Sequence, residues 1–505
     1  MVNFSAGSAV DLGNGVRLRA VNVSGEARRA ERARDTRAPA REAAAHAPQA
    51  YLRKAGTSAE VAELLGDALD SSEMRLHTTV GLPRLSARPG TPAIQTRGAA
   101  PSVPHLQLEV AAPARGDEGQ VILEVDTATG HARWHLPRID TVDGRRAAGK
   151  QRFDIPADRF GIGGAEAGLA RRGLVGFGIS KVLHVLRFPV EFVAGQLAEW
   201  GIRWWEGRHR PHMLRTANPD GTAGAAVDTD RLAQLGAGPY LVFVHGTFST
   251  SAAFTGLHAD FAQWHAGYRG RLLLFDHPTV ATTPAENARW LLDCLPDDRV
   301  STVDVVTHSR GGLVARQLVR QPASDRIRMR RLVQVASPNA GTKLASPENL
   351  SSLVDAFTNL LSLIPDAAGG VALPGVFEVV KQLAVGALSD LDGLAAMDPA
   401  DEALRALNDA DAQMAAVHAI TSDYEPAEDA SLAQRTLDTI VDALFASGND
   451  LVVPFTGMSN AGKFVVADPF AVTEPSVSHC GYFGDERVRT EIQRCLALPE
   501  TLPFG

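Results

Sequence analysis

The chain has 505 residues, of which 45% are hydrophobic and 21% are charged, proportions that are typical of a globular protein. This length allows two or three domains and at least one large hydrophobic core. The net charge of -8 gives no electrostatic basis for nucleic-acid binding, so nucleic acid is not an expected partner.

The three cysteines and the termini argue against several other classes of protein. Cys294, Cys480 and Cys495 are too few for a disulfide framework, and no CxxC spacing indicates a metal site. The N-terminus lacks the basic and apolar regions of a signal peptide, and no run of about 18 apolar residues is present. We therefore expect a soluble, cytoplasmic protein.

Residues 1–104 and 105–170 are predicted to be two separate N-terminal regions. The first contains an Ala/Arg/Glu-rich stretch at 25–50 and a proline-rich stretch at 83–104, both of which are typical of linkers. From His105 onward apolar and polar residues alternate, as expected for a small antiparallel β-sheet. No catalytic group stands out in either region, so we expect a structural or partner-binding role.

Residues 171–215 are predicted to form an amphipathic helical segment. An apolar run covers 174–188, and a second apolar helix ends in a cluster of three tryptophans at 200–205. One interpretation is peripheral membrane contact through residues 172–210. The other is a helical hairpin that packs against the following domain.

Residues 216–505 alternate short apolar runs with helical patterns, which is typical of a doubly wound, mostly parallel sheet with helices on both faces. The fold class is therefore α/β. The predicted strands are 240–244, 272–275, 303–306, 332–335, 417–420 and 464–466.

The third of these strands ends in Thr307-His308-Ser309-Arg310-Gly311-Gly312, and a helical pattern begins at once. A serine on so tight a strand-to-helix turn presents its hydroxyl away from the sheet, as a nucleophile requires. Small residues are needed around it, and Gly311 provides one of them. Thr307 stands where glycine is usual.

A nucleophilic serine needs a histidine base and a carboxylate that orients the histidine. His479 and Asp450 both occupy loops after Ser309, in the order that this kind of turn requires. Asp423, which follows the strand at 417–420, is an alternative acid. The backbone amides of Thr247 and Arg310 are candidates for the oxyanion hole.

Residues 348–397 form an apolar, helical insertion in the second half of the chain. One interpretation is a cap that forms an acyl pocket or a mobile lid. The alternative is a pair of additional core helices without a gating role.

Together these motifs resemble the α/β-hydrolase superfamily, and within it bacterial triacylglycerol lipases and esterases. His245-Gly246-Thr247 is similar to the oxyanion loop of that family, residues 307–312 to its nucleophile turn, 448–454 to its acid loop and His479 to its histidine loop. The resemblance covers residues 238–500.

The resemblance implies a serine hydrolase of hydrophobic carboxylic esters, a lipase or esterase and possibly a phospholipase. Ser309, His479 and Asp450 would form the triad, and no cofactor or metal would be required. Two alternatives stay open: a protein that binds an acyl or peptide ligand without turnover, and an acyltransferase.

Overall fold

A computed structural model describes most of the chain, and the account below is confined to these residues. The described ranges are 1–29, 47–54, 59–87, 104–113, 118–138, 141–142, 145–146, 149–157, 179–190, 201–236, 238–360, 373–386, 391–410, 416–430 and 432–496. Most of the predicted linkers at 25–50 and 83–104 lie outside them.

Two antiparallel sheets occupy the N-terminal part of the chain. One has six strands in the order β1-β4-β5-β12-β7-β8, and the other has four in the order β11-β6-β3-β2. Strands β9 and β10 form a separate pair. The strands are β1 Val2–Phe4, β2 Ala9–Gly13, β3 Val16–Val21, β4 Val23–Arg29, β5 Arg75–Ala87, β6 His105–Ala111, β7 Glu118–Asp126, β8 Ala132–His135, β9 Thr141–Val142, β10 Arg145–Arg146, β11 Lys150–Pro156 and β12 Ile179–Pro189.

The six-stranded and the four-stranded sheet share one apolar core. Leu106 of β6 and Phe153 of β11 belong to the same buried cluster as Ile122 of β7 and Leu183 of β12. In β6 every second residue is buried, because successive side chains of a strand point to opposite faces. Strands from residues 1–104 and 105–156 pair within both sheets, so the predicted border at 104/105 does not separate two structural units.

The prediction of a helix across 174–188 is wrong for the residues that are described. Ile179–Pro189 is β12, an inner strand that pairs with both β5 and β7. A strand buried on both faces reads as a continuous apolar run, which periodicity cannot distinguish from a buried helix. Its buried Lys181 is paired with Glu124 at 2.7 Å. This stretch therefore offers no surface helix for the predicted membrane contact; within 171–215 a helix is found at Gly201–His209.

The described helices in chain order are α1 Pro48–Lys54, α2 Ala59–Ser71, α3 Gly201–His209, α4 Thr229–Gln234, α5 His258–Gly267, α6 Pro284–Asp293, α7 Gly311–Leu318, α8 Leu350–Leu360, α9 Leu373–Val385, α10 Asp392–Ala395, α11 Glu402–Asp409, α12 Leu432–Phe445 and α13 Glu486–Leu496. Each of these helices is too short or too polar to span a bilayer.

The second half of the chain is built on an eight-stranded sheet in the order β14-β13-β16-β15-β17-β18-β19-β22. Its strands are β13 Met213–Ala217, β14 Ala223–Ala226, β15 Tyr240–Val244, β16 Leu272–Asp276, β17 Ser301–His308, β18 Ile327–Val335, β19 Ala416–Ser422 and β22 Phe470–Val472. From β16 to β22 all neighbours are parallel, and β13 and β14 form an antiparallel edge. The predicted mostly parallel sheet is confirmed.

The last predicted strand was placed too early. Phe464–Val465 is β21, which forms a small hairpin with β20 at Asn460–Ala461. The edge of the main sheet is β22 instead. Short apolar runs of this kind identify a strand without identifying its partner.

Helices cover both faces of the large sheet. Phe261 of α5 and Ile492 of α13 pack in one buried cluster with strand residues. Leu291 of α6 and Val314 of α7 pack in another on the opposite face. Because helices cover both faces of the sheet, all five residues of β15 are buried.

The insertion at 348–397 contains α8, α9 and α10, and we call α8 and α9 the insertion helices. Helix α8 contacts β8, the edge strand of the six-stranded sheet. The Asp355 carboxylate accepts from the Trp134 backbone N–H at 2.8 Å, and Thr358 accepts from the Trp134 indole at 3.0 Å. The Asn359 amide accepts from the Ala132 N–H at 2.8 Å and donates to its C=O at 2.7 Å. Helix α8 is therefore bonded directly to the six-stranded N-terminal sheet.

Candidate active site

Ser309 lies between the end of β17 and the start of α7. Its φ of 52° is in the left-handed region, which is uncommon for a residue other than glycine and costs conformational energy. The Ser309 N–H donates to the carbonyl of Val335 on the neighbouring strand at 2.8 Å. This contact holds the strained turn in place.

The backbone packs so closely around Ser309 that side chains are excluded at two positions. A Cβ on Gly311 would lie 2.2 Å from the Val244 carbonyl oxygen, and a Cβ on Gly246 would lie 2.6 Å from the Ser309 Cβ. Thr307 is accommodated because its hydroxyl faces the adjacent strand, where it donates to the Val333 carbonyl at 3.4 Å. The usual glycine is not required at that position.

The structure brings Ser309, His479 and Asp450 into one hydrogen-bonded chain. The Ser309 hydroxyl lies 2.9 Å from His479 Nε2, and His479 Nδ1 lies 2.8 Å from Asp450 Oδ2. Since an ionised carboxylate only accepts, Nδ1 carries the proton and Nε2 is free to accept from the serine. All three side chains are buried.

The buried Asp450 carboxylate accepts four hydrogen bonds. Besides His479, the donors are the backbone N–H groups of Val452 at 3.1 Å and Val453 at 2.8 Å and the Tyr482 hydroxyl at 3.2 Å. These hydrogen bonds replace the ones that the carboxylate would make with water if it were exposed. Tyr482 was not identified from the sequence, where an isolated tyrosine after His479 carries no signal.

Asp423, the alternative acid, has a different position. Its Oδ1 accepts from the Asn449 backbone N–H at 2.9 Å. A Cβ on Gly448 would lie 2.3 Å from Asp423 Oδ2. Asp423 therefore packs behind the loop that carries Asp450 and supports its backbone.

His308, the neighbour of Ser309, also has a partner that removes it from consideration as a base. Its Nε2 donates to the His479 carbonyl at 2.9 Å. Burial, and to a lesser extent the nearby His479 ring, lower the pKa of His308 to about 3, so its imidazole is neutral at physiological pH. The contact instead ties the serine turn to the histidine loop.

The two predicted oxyanion donors lie on either side of the serine. Gly246, which precedes Thr247, contacts Ser309, and Arg310 follows Ser309 directly. Across the described part of the chain, neither the Thr247 nor the Arg310 backbone N–H has a hydrogen-bond partner. Both amides are therefore available to a negatively charged oxygen.

Two phenylalanines that were not singled out in the sequence cover the site. The Phe357 ring of α8 lies perpendicular to the His479 ring with a centroid distance of 6.3 Å. It also lies perpendicular to the Phe248 ring at 4.9 Å. Ser309 itself is only 3% exposed. Among the described residues, no group of three or more His, Cys, Asp or Glu side chains is arranged to hold a metal ion.

The strand order, the two helical layers and the strained serine turn with its histidine and carboxylate define the α/β-hydrolase fold. The predicted superfamily is thereby confirmed. The chain belongs to the family described as a domain of unknown function, DUF7379, whose model matches residues 209–497.

Solved structures with a similar fold have low sequence identity. Phospholipase PlaB from Legionella pneumophila is 16% identical, with a TM-score of 0.29, over 44% of this chain and 46% of its own, so less than half of that phospholipase is covered. Lipase 1 from Pelosinus fermentans is 13% identical, with a TM-score of 0.32, over 48% and 93%. The enol-lactonase from Burkholderia xenovorans is 16% identical, with a TM-score of 0.29, over 53% and 94%. No curated protein matches the sequence.

Proposed function

We propose that this protein is a serine hydrolase that cleaves carboxylic esters of hydrophobic substrates, as a lipase or esterase. The observation that carries the proposal is the chain of hydrogen bonds from Ser309 through His479 to Asp450, with distances of 2.9 and 2.8 Å. Chains of this kind recur on unrelated folds, where they activate a serine for acyl transfer.

The geometry supports a two-step reaction. His479 Nε2 takes the proton from the Ser309 hydroxyl as its oxygen bonds to the ester carbonyl carbon, and Asp450 stabilises the imidazolium. The Thr247 and Arg310 amides donate to the oxyanion. Collapse of the adduct breaks the ester bond, and His479 protonates the departing alkoxide. Water, deprotonated by His479, then attacks the acyl-enzyme, which releases the acid and restores the serine.

The apolar cover favours a hydrophobic acyl group. Helices α8 and α9 are rich in buried aliphatic and aromatic residues. Phe357 lies beside His479, and Phe248 packs against Phe357. Such a lining favours an acyl chain over a charged metabolite. Because Ser309 is only 3% exposed, we propose that the insertion helices α8 and α9 form a cap that moves when substrate binds.

The proposal is tested with a series of p-nitrophenyl esters of increasing chain length, assayed with wild type and Ser309→Ala. We expect hydrolysis by wild type with a preference for longer chains, and a fall in kcat of about 10⁴-fold or more in the variant. Labelling by a fluorophosphonate probe should require Ser309. A wild-type protein that neither hydrolyses any ester nor reacts with the probe would refute the proposal.

A further inference from the structure

Helix α3 contributes a buried carboxylate to the neighbourhood of the site. Glu206 is 2% exposed, whereas Trp204 on the same helix is 44% exposed. Glu206 Oε1 accepts from the backbone N–H groups of Thr279 at 2.6 Å and Val280 at 2.8 Å, and Oε2 accepts from that of Ala281 at 2.8 Å. Three consecutive amides are thus directed at one side chain.

These amides belong to the loop at residues 277–283, which connects β16 to α6. Consecutive backbone N–H groups that converge on one anion fix the local conformation, because each bond constrains a different peptide plane. Charge-assisted hydrogen bonds of this kind are stronger than neutral ones. Glu206 therefore determines the shape of the 277–283 loop.

The loop in turn contacts both sides of the candidate oxyanion hole. Thr279 Oγ1 accepts from the Phe248 backbone N–H at 3.3 Å, directly after Thr247. The Thr282 carbonyl accepts from the Arg310 guanidinium, whose Nε also donates to the Gly393 carbonyl at 2.9 Å. Both candidate donor residues are thus anchored, one through its neighbour and one through its side chain, to the loop that Glu206 holds.

The charges in this network complement each other. Burial raises the pKa of Glu206, while its three amide partners and the positive charge of Arg310 act in the opposite direction. Burial lowers the pKa of Arg310 to about 10, and Glu206 and Glu286 oppose that change. Arg310 therefore stays cationic at neutral pH.

We propose that Glu206 is a positioning residue, which acts through the 277–283 loop to hold the amides of Thr247 and Arg310 in register for the oxyanion. The proposal rests on the proposed hydrolase function. Helix α3 lies almost entirely before the residues matched by the family model. The proposal gives this helix a direct part in organising the active site.

The test compares Glu206→Gln with wild type in ester hydrolysis. Glutamine keeps the size of the side chain, but its NH2 group would face a backbone donor that the carboxylate now accepts from. We expect kcat to fall about 10- to 100-fold with little change in KM, because a small displacement of the donors weakens binding of the transition state alone. Asp260→Asn, which removes another buried carboxylate, one that is paired with Arg489, should leave kcat within about twofold.

Two inhibitors distinguish a role of Glu206 in positioning the oxyanion donors from a role in stability alone. A trifluoromethyl ketone, which forms an oxyanion adduct with the serine, should bind Glu206→Gln more weakly in proportion to the loss of kcat. The carboxylic acid product should bind both proteins equally. Equal affinity for the ketone in both proteins, or an equal loss of affinity for both inhibitors, would overturn the proposal. If Glu206→Gln does not fold, Thr279→Val provides the same comparison with a smaller expected effect.

A separate measurement tests the Glu206 network if the proposed hydrolase function is wrong. If wild type is inactive and unlabelled by the fluorophosphonate, amide hydrogen exchange still reports on the network. Faster exchange at the Phe248 N–H, which donates to Thr279, in Glu206→Gln but not in Asp260→Asn would support the coupling. Unchanged exchange there would overturn it.

Discussion

Two aspartates of similar sequence context have different positions in the site. Asp423 lies in the loop after β19 and Asp450 in the loop after α12, and both accept hydrogen bonds from backbone amides. Only Asp450 is directed at the His479 ring, at 2.8 Å. The direction of a side chain in a loop depends on the backbone around it, so residue type and order did not distinguish the two.

Replacing each aspartate by asparagine should separate their roles. Asp450→Asn removes the acceptor that keeps the proton on His479 Nδ1, so we expect kcat for a p-nitrophenyl ester to fall by about 10⁴-fold. Asp423→Asn retains an oxygen that can accept from Asn449, so kcat should fall by less than about tenfold. A larger loss in Asp423→Asn than in Asp450→Asn would contradict the assignment of the acid.

At the scale of elements, α8 serves two surfaces at once. Asp355 and Asn359 are four residues apart and therefore lie on one face of the helix, where they bond to β8. Phe357 lies beside the His479 ring. A change in the contact between α8 and β8 is therefore expected to reach the cover of the site.

Asp355 makes this contact dependent on pH. Burial raises its pKa to about 7, although Arg133 acts in the opposite direction. Because the folded-state pKa is raised, the contribution of Asp355 to stability is fully present below about pH 4 and is lost as the pH rises through about 7. Asp355→Asn keeps the acceptor for Trp134, so at pH 8 we expect it to be more stable than wild type by about 2 kcal/mol, after allowance for partial exposure of the carboxylate.

Thermal unfolding of both proteins from pH 4 to pH 8 measures this difference. The two Tm values should be closest at pH 4 and separate progressively up to pH 8. Asp398→Asn, which alters an exposed carboxylate that caps the Ala400 N–H, should follow wild type throughout. Parallel curves for wild type and Asp355→Asn would show that Asp355 does not titrate in this range.

At the scale of the whole molecule, the insertion helix α8 lies between the N-terminal six-stranded sheet, to which it bonds, and His479 of the candidate site. Strand β8 is an edge strand, whose free N–H and C=O groups must find partners when buried. The Asn359 amide bonds to both polar groups of Ala132 and so substitutes for a further strand. The N-terminal part of the chain is thus connected to the cover of the active site.

Asn359→Ala should weaken this junction. It leaves two buried backbone groups without partners, at a cost of about 1–3 kcal/mol each. We expect a lower Tm and faster amide exchange in β8. Asn349→Ala, which removes a single bond to the Lys343 carbonyl near the surface, should change the Tm much less. Equal effects of the two substitutions would contradict the role given to Asn359.

Strands that appear in the sequence as short apolar runs were predicted at the correct positions. The strands at 240–244, 272–275 and 303–306 were located because short apolar runs between turn residues are a local signal. The strand at 179–189 was missed because its apolar residues face two cores, and its charged Lys181 is satisfied by Glu124, 57 residues earlier in the chain. Glu206 was missed for the same reason, since its partners are backbone amides more than 70 positions away.

The sequence by itself determined the α/β class, the serine on its tight turn, and the candidates for base, acid and oxyanion donors, because these depend on residue type, spacing and chain order. Only the tertiary structure decided which aspartate bonds to His479 and that residues 179–189 form a strand. It also decided that helices α3 and α8 lie near the site. The physical reason is that buried polar groups need partners, and the partner can come from any part of the chain that folding brings within about 3 Å.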